Sequence, residues 1–465
     1  MSGKKGVLLW GVLSVIATIA LGVPMLMPEQ MQASPIDRTI FLPGDTTDGH
    51  YQIEIECETC HTERFGDVES IQSACVECHS AELELVDDSH PRTKFTDPRN
   101  ADRVELLDAR WCVTCHQEHR PEITSTMGLS LPTDYCYRCH ENVGEERPTH
   151  QDLPFDSCSN SGCHNFHDNR ALYEDFLVEH RSEPDFRAES YVPLRELKAI
   201  SIDRKIVSGT ALGRKDHDAP GDTPNLEKWI GEWVSSGHAD SGVNCRDCHA
   251  QESSDWVDRP EIAVCESCHA LEHEGFIASR HGMRLAQGLP KMTPGESRLP
   301  MQEAALDRKL DCNQCHGSHA YDTRFAAAEA CQECHVDDHS MAYADSPHAA
   351  LWERELAGEG PPGSGVSCAT CHLPRIADPL EPARTRVAHN QNDFLRPRDK
   401  MIRSSCLECH GLAFSLDSLA DPALVNTNFS GRSTVKVESI HYATKLRWQL
   451  EGRDPPWSEA EKEKK

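Results

Sequence analysis

The chain has 465 residues, with 47 Lys and Arg against 76 Asp and Glu, and its net charge of −29 at neutral pH excludes nucleic acid as a partner and suits a basic protein partner. Only 38% of the residues are hydrophobic and 6% aromatic, thin for a side-chain core in a chain of two- or three-domain length. The compositional extreme is 22 cysteines.

In chain order, Val7 to Met27 form an apolar run without a charge, preceded by Lys4 and Lys5. At about 1.5 Å per helical residue such a run spans a hydrocarbon core. It is longer than the apolar part of a secretory leader, and Pro28 to Ser34 offers only a weak cleavage site. Residues 1–33 are therefore expected to be an uncleaved N-terminal anchor, with residues 7–27 in the inner membrane and the lysines on the cytoplasmic side. Residues 34–56 read as a linker that closes on His50.

Next, one string recurs: Cys-x-x-Cys-His. Residues 34–167 hold five copies: Cys57/Cys60/His61, Cys75/Cys78/His79, Cys112/Cys115/His116, Cys136/Cys139/His140 and Cys158/Cys163/His164. The fifth has four residues between its cysteines and reads as an accommodated variant. Residues 168–237 carry no copy and form a connecting segment; within it Ala171 to His180 and Trp229 to Val234 are expected to be helical, with a loop from Gly213 to Pro224. Residues 238–410 hold six more: Cys245/Cys248/His249, Cys265/Cys268/His269, Cys312/Cys315/His316, Cys331/Cys334/His335, Cys368/Cys371/His372 and Cys406/Cys409/His410. Residues 411–465 are an extension, with a candidate helix from Val435 to Leu450 and a charged tail. His50 precedes Cys57 by the same spacing as His238 precedes Cys245, so the two modules begin alike.

The eleven copies use every cysteine. Cys-x-x-Cys-His is the attachment signature of c-type haem: the two thiols bond the vinyl groups and the histidine reaches the iron. Zinc ribbons or disulfides would not put a histidine after every pair. The expected cofactor is therefore haem c, eleven per chain. Covalent haem attachment places the chain on the periplasmic side of the bacterial inner membrane. The expected fold is mainly α with extensive irregular loops, in two haem-packed lobes behind one transmembrane helix.

The sixth ligand of each iron decides between carrier and catalyst. Of the 26 histidines, eleven belong to motifs, which leaves enough for a second histidine at every iron. The distal candidates are His50, His90, His119, His150, His167, His180, His238, His281, His319, His339, His348 and His389. His119, His167 and His319 each stand three residues after a motif histidine. On a helical turn they would share its face, so they are expected to serve a neighbouring haem. His217, His273 and His441 are as readily surface groups. The methionines share no offset from the motifs, so most are expected to be packing residues.

Between His238 and His410 the features Ser279-Arg280-His281-Gly282, His339 after Cys331/Cys334/His335, Ser346-Pro347-His348, Gly365-Val366-Ser367-Cys368 with His372-Leu373-Pro374, and Ala388-His389-Asn390 follow an order that resembles the octahaem hydroxylamine oxidoreductases and the pentahaem nitrite reductases of the same superfamily. The resemblance implies distal roles for His281, His339, His348 and His389. The departures are that all eleven motifs end in histidine, where those nitrite reductases commonly have a lysine at the catalytic haem, and that no tyrosine maps onto the cross-linking tyrosine of the hydroxylamine oxidoreductases. The single span is also similar to that of membrane-bound multihaem quinol dehydrogenases. Those have far fewer haems, and Cys57 lies 30 residues past Met27, so direct quinol oxidation is not expected.

The leading expectation is a membrane-tethered relay that passes electrons between other redox proteins, soluble cytochromes or a membrane oxidoreductase, with no catalytic residue and oligomerisation left open. The alternative is a multihaem oxidoreductase acting on nitrite, hydroxylamine, sulfite or tetrathionate at one open haem in the second module.

Overall fold

A computed structural model describes residues 10–16, 18, 41–63, 66–125, 128–147, 150–151, 153, 155, 158, 164–168, 209–250, 255–379, 382, 385–395, 400–437, 445, 448–449 and 452. The protein is mainly helical with long irregular stretches. Among the described residues five helices reach eight residues or more: α1 (Val68–Leu85), α2 (Leu226–Trp233), α3 (Ala270–Ile277), α4 (Pro347–Leu356) and α5 (Leu412–Ala420). One two-stranded antiparallel ribbon pairs β1 (Arg375–Ala377) with β2 (Thr385–Val387), Ile376 opposite Arg386.

Several motifs make their own single helical turn, as in Cys57–Cys60, Cys112–Cys115, Cys245–His249, Cys312–His316 and Cys368–His372. A turn brings the first cysteine, the second three residues on and the histidine four residues on to one face. Some of these short turns carry side-chain caps. Asn244 accepts from the Cys245 amide in a capping box with Asp247, Asp311 accepts from the Asn313 amide, and Ser367 pairs with Thr370. The motif at Cys75 instead lies inside α1, whose start is capped by Asp67.

Side chains supply little core. One buried cluster joins Met401, Ile402, Leu407, Leu412, Ala413, Leu416 and Leu419, with Cys371, Cys406 and Phe429 against it. A smaller one joins Ala328, Tyr343 and Ala349 to Trp352 and Cys368, with the Tyr343 hydroxyl on the Val366 carbonyl. Both abut motif cysteines, as expected where a cofactor completes the packing.

The chain after α5 is tied back by Asp421. Its carboxylate accepts from the Thr434 amide at 2.8 Å, the Thr434 hydroxyl at 3.1 Å, and the Ala423 and Leu424 amides. The Thr434 amide contributes most to holding this carboxyl below its usual range. A lowered folded-state pKa adds stability that is present above about pH 4, the unfolded value, and is lost as pH falls through the folded one. Hydrogen exchange at the Thr434 amide, corrected for its intrinsic rate, is therefore expected to accelerate on acidification below about pH 4. Asp421→Asn should abolish that dependence.

Two sequence expectations change. Residues 42–56 are not a loose linker: Thr46, Gln52 and Glu56 are buried, and Arg298 bonds the Thr46 carbonyl and pairs with Asp48 and Glu54. Polar composition there reflects partners in the second half of the chain rather than solvent. The helix expected from Val435 does not begin there, because residues 433–437 are irregular, held by bonds to Asp417 and Asp421. The helix expected at Trp229 is present as α2, and residues 213–224 are a loop. The stretch from Ala171 to His180 lies outside the described residues. So does most of the apolar run from Val7 to Met27, of which residues 10–16 are helical and exposed. Among the described residues no helix is long and apolar enough to cross a membrane.

Candidate functional site: paired imidazoles at the motifs

Ten of the eleven motif histidines face a second histidine from outside the motifs. In the first half the pairs are His79 with His50, ring centroids 5.9 Å apart, His116 with His167 at 6.4 Å, His140 with His90 at 6.1 Å and His164 with His150 at 6.1 Å. In the second they are His249 with His319 at 5.9 Å, His269 with His238 at 6.0 Å, His316 with His389 at 6.2 Å, His335 with His281 at 6.3 Å, His372 with His339 at 6.2 Å and His410 with His348 at 6.2 Å. Interplanar angles run from 4° to 86°, so ring stacking does not explain the common spacing. A metal–imidazole bond of about 2 Å on each side of one ion, plus the offset from nitrogen to ring centre, gives a centroid separation of about 6 Å. The residues fit an iron held between two histidines beside two thiols.

Ring orientation supports the fit. The Nδ1–H groups donate to backbone carbonyls: His116 to Gly128 at 2.9 Å, His249 to Val257 at 2.6 Å, His90 to Phe166 at 2.5 Å, His339 to Val425 at 2.6 Å and His389 to Val387 at 2.9 Å. Carboxylates hold others, Glu118 on His50 at 2.7 Å and Asp88 on His167 at 3.1 Å. A carbonyl can only accept, so the proton sits on Nδ1 and Nε2 is the nitrogen left for a metal. Local structure places the rings: Ser346 caps α4 through the Ala349 amide and so sets His348 in its first turn, and β2 delivers His389.

Burial also favours the neutral ring, the form that ligates metal. Desolvation pushes His281, His316, His348 and His372 down to about 4. Burial pushes the Cys371 thiol up to about 11. A thioether sulfur carries no charge, so such burial suits the attached state. No described cysteine is in a disulfide; Cys163 lies outside the described residues.

The thiols give the order in space. Cys75 lies against Cys112, Cys136 against Cys158, Cys265 against Cys312 and Cys331 against Cys368. Each contact joins the first cysteines of successive motifs, and the two contacts of the first half recur at the same motif positions in the second. The imidazole pairs repeat likewise: His50/His79 corresponds to His238/His269, His90/His140 to His281/His335, His116/His167 to His316/His389 and His150/His164 to His339/His372. The counterpart of His249/His319 would be His61/His119.

The local turns do not hold every second cysteine alike, as Cys139, Cys268 and Cys409 show. Cys139 is half-buried in the turn Tyr137–His140, which leaves Cys136 outside as its cap residue. Cys268 is exposed and lies beyond the turn Ala263–Glu266, its sulfur 3.8 Å from the Ser267 hydroxyl. Cys409, half-buried, follows the 3-10 turn Cys406–Glu408 with φ −130°. Cys136, Ile262 and Ser405, which precede these turns, make no side-chain cap bond, as is also true of Glu56 and Trp111 before the turns at Cys57 and Cys112. The bond from the histidine amide to the first-cysteine carbonyl survives, at 3.0 Å for His140, 2.8 Å for His269 and 2.8 Å for His410. The motif histidine therefore keeps its place relative to the first thiol. For Cys139, Cys268 and Cys409 the attachment role rests on the motif spacing, not on a turn that presents all three groups together.

His61 is where the pattern is incomplete. Among the described residues no imidazole faces it, and its motif is the one whose two cysteines and histidine are all exposed. His119 has φ 59°, matching φ 67° at His319, and its Nδ1–H donates to the Gly44 carbonyl at 2.7 Å. His180 and His441 lie outside the described residues. His217 and His273 face no motif histidine; His273 stands 3.8 Å from Glu266. Met292 and Met401 are buried apolar residues. The orienting groups Glu118, Asp88, Gln391 and the carbonyl acceptors went unseen in the sequence, because they come from distant chain and have no motif.

Paired imidazoles beside Cys-x-x-Cys turns define a multihaem c-type cytochrome. In agreement, the family model described as Cytochrome c3 matches residues 49–141 and 237–335, two regions that each begin just before a histidine that faces a motif histidine, His50 or His238, and run through four motifs. The match supports covalently bound haem c and electron transfer as the function. The chain matches no curated protein.

Proposed function

We propose that the protein is an undecahaem electron relay, tethered by residues 7–27 to the periplasmic side of the inner membrane, with a histidine on both faces of every iron. The observation that carries this reading is the set of ten motif histidines that each face a non-motif histidine at 5.9–6.4 Å. Haem supplies reversible one-electron chemistry; two histidine ligands leave no position for a substrate. The chain's part is to orient many of the rings through their Nδ1–H, to favour the neutral form where burial is deep, and to bring first cysteines of successive motifs together. The acidic surface suits a basic soluble carrier as partner. At the eleventh site His119 is the second ligand of the Cys57 haem, the counterpart of His319.

A second reading is favoured by the exposed Cys57 motif: an open haem there, acting on a small nitrogen or sulfur compound. It belongs at His61 and not in the second half, where all six motif histidines face another imidazole. His119→Ala separates the two readings. With His119 as a ligand, the oxidised wild type is fully low-spin by EPR and the variant gains one high-spin centre. With an open haem, the wild type already shows a high-spin centre that shifts with nitrite, hydroxylamine or sulfite, and the variant leaves it unchanged.

A further inference from the structure

Two ligand-bearing loops from opposite halves of the chain are bonded to each other. The Gln52 side-chain amide donates to the Arg280 carbonyl at 2.5 Å, and the Arg280 guanidinium donates back to the Asp48 carbonyl. Asp48 and Gln52 flank His50, and Arg280 directly precedes His281. Gln52 is only 5% exposed, so the contact is shielded from water. Lys400 and Asp393 of the second half lie within electrostatic range of Glu82, which meets His79 Nδ1 at 3.0 Å. Nearby in the chain, the Gln391 amide meets His281 Nδ1 at 3.3 Å and Asn392 donates to the Ala278 carbonyl at 3.0 Å. The residues that flank His50 thus tie it to the segment that carries His281.

We propose that the halves exchange electrons at this contact, between the iron site held by His50 and His79 and the one held by His281 and His335. The wire thus branches between the second site of the first half and the fourth site of the second. The inference rests on the electron-relay reading. One electron leaves the first site, which is oxidised by one equivalent, and arrives at the second, which is reduced by one. No bond forms or breaks and no further reactant is required, in either direction. Tunnelling decays exponentially with distance, so the direct contact of two ligand loops outweighs longer routes. Gln52 and Arg280 are positioning residues.

The test uses the full-length, haem-loaded protein with His281→Met as a reporter, because methionine ligation gives that centre a raised potential and its own spectrum. Removing the neighbouring haem by Cys75→Ala with Cys78→Ala takes away a paramagnet beside the reporter. Its EPR spin relaxation in the oxidised protein is expected to slow, whereas Cys158→Ala with Cys163→Ala leaves it unchanged. Equal slowing in both variants, or in neither, overturns the proposal. If either variant loses more than one haem by pyridine haemochrome assay, Gln52→Ala with Arg280→Ala carries the test. That variant keeps every haem and is expected to slow electron equilibration between the halves severalfold after laser photoreduction; unchanged equilibration overturns the proposal. Spin relaxation reports only where the sites lie, so it can succeed in a protein that is not a relay. Failure of the relay reading shows instead as a substrate-binding high-spin centre in the wild type.

Discussion

His389→Ala is expected to turn one low-spin ferric centre per molecule into a high-spin one, visible by EPR, with haem content unchanged. His389 faces His316 at 6.2 Å and is oriented by its Nδ1–H on the Val387 carbonyl at 2.9 Å. Removing the imidazole opens one iron position without touching Cys312, Cys315 or His316. The backbone around it has independent support: β2 stays paired with β1, and Asn390 keeps its bond to Asp393. Added imidazole should restore the low-spin signal, which a misfolded variant would not do. A wholly low-spin variant would refute the pairing of His389 with His316. A Met replacement at the same position should instead raise one midpoint potential, the change expected when methionine opposes a histidine.

Leu416→Ala should produce the largest loss of stability among single side-chain truncations, about 2–5 kcal/mol. Leu416 is 6% exposed at the centre of the cluster formed by Met401, Ile402, Leu407, Leu412, Ala413 and Leu419. Elsewhere the described residues offer few large buried aliphatics, and many of the buried apolar residues are alanines. A cavity here cannot be relieved by cofactor contacts alone, because most of the cluster is aliphatic side chains packed on one another. Denaturant unfolding followed by circular dichroism would measure the change. His410 should loosen first, since Phe414 of the same helix stacks on it at 5.0 Å between ring centres.

The attachment sites were legible in the sequence for a local reason: two thiols and an imidazole must stay close enough to reach one porphyrin, so their spacing is written in five residues. The local backbone was not, since Cys268 and Cys409 lie past the end of their turns. The pairing of histidines was less legible. His167 and His319 were expected to serve a neighbouring site from their offset, and each does face another motif's histidine, His116 and His249. His50, His90, His150 and His238 carried no such mark beyond their surplus. Residues 42–56 misled, because an acidic and polar stretch with glycine and proline reads as linker until Arg280 and Arg298 are seen to meet it.

The sequence by itself determined the cofactor chemistry and the mainly helical, loop-rich character of the chain. Both follow from contacts within a few residues and from composition. Only the tertiary structure decided which histidine faces which, that the pairings recur between the halves with His348/His410 beyond them, and that the halves meet at Gln52 and Arg280. Partners such as His50 and Glu118, His316 and His389, or Gln52 and Arg280 are distant in the chain, and nothing local constrains distant residues. Their meeting is set by packing around the sites, which neither spacing nor composition records.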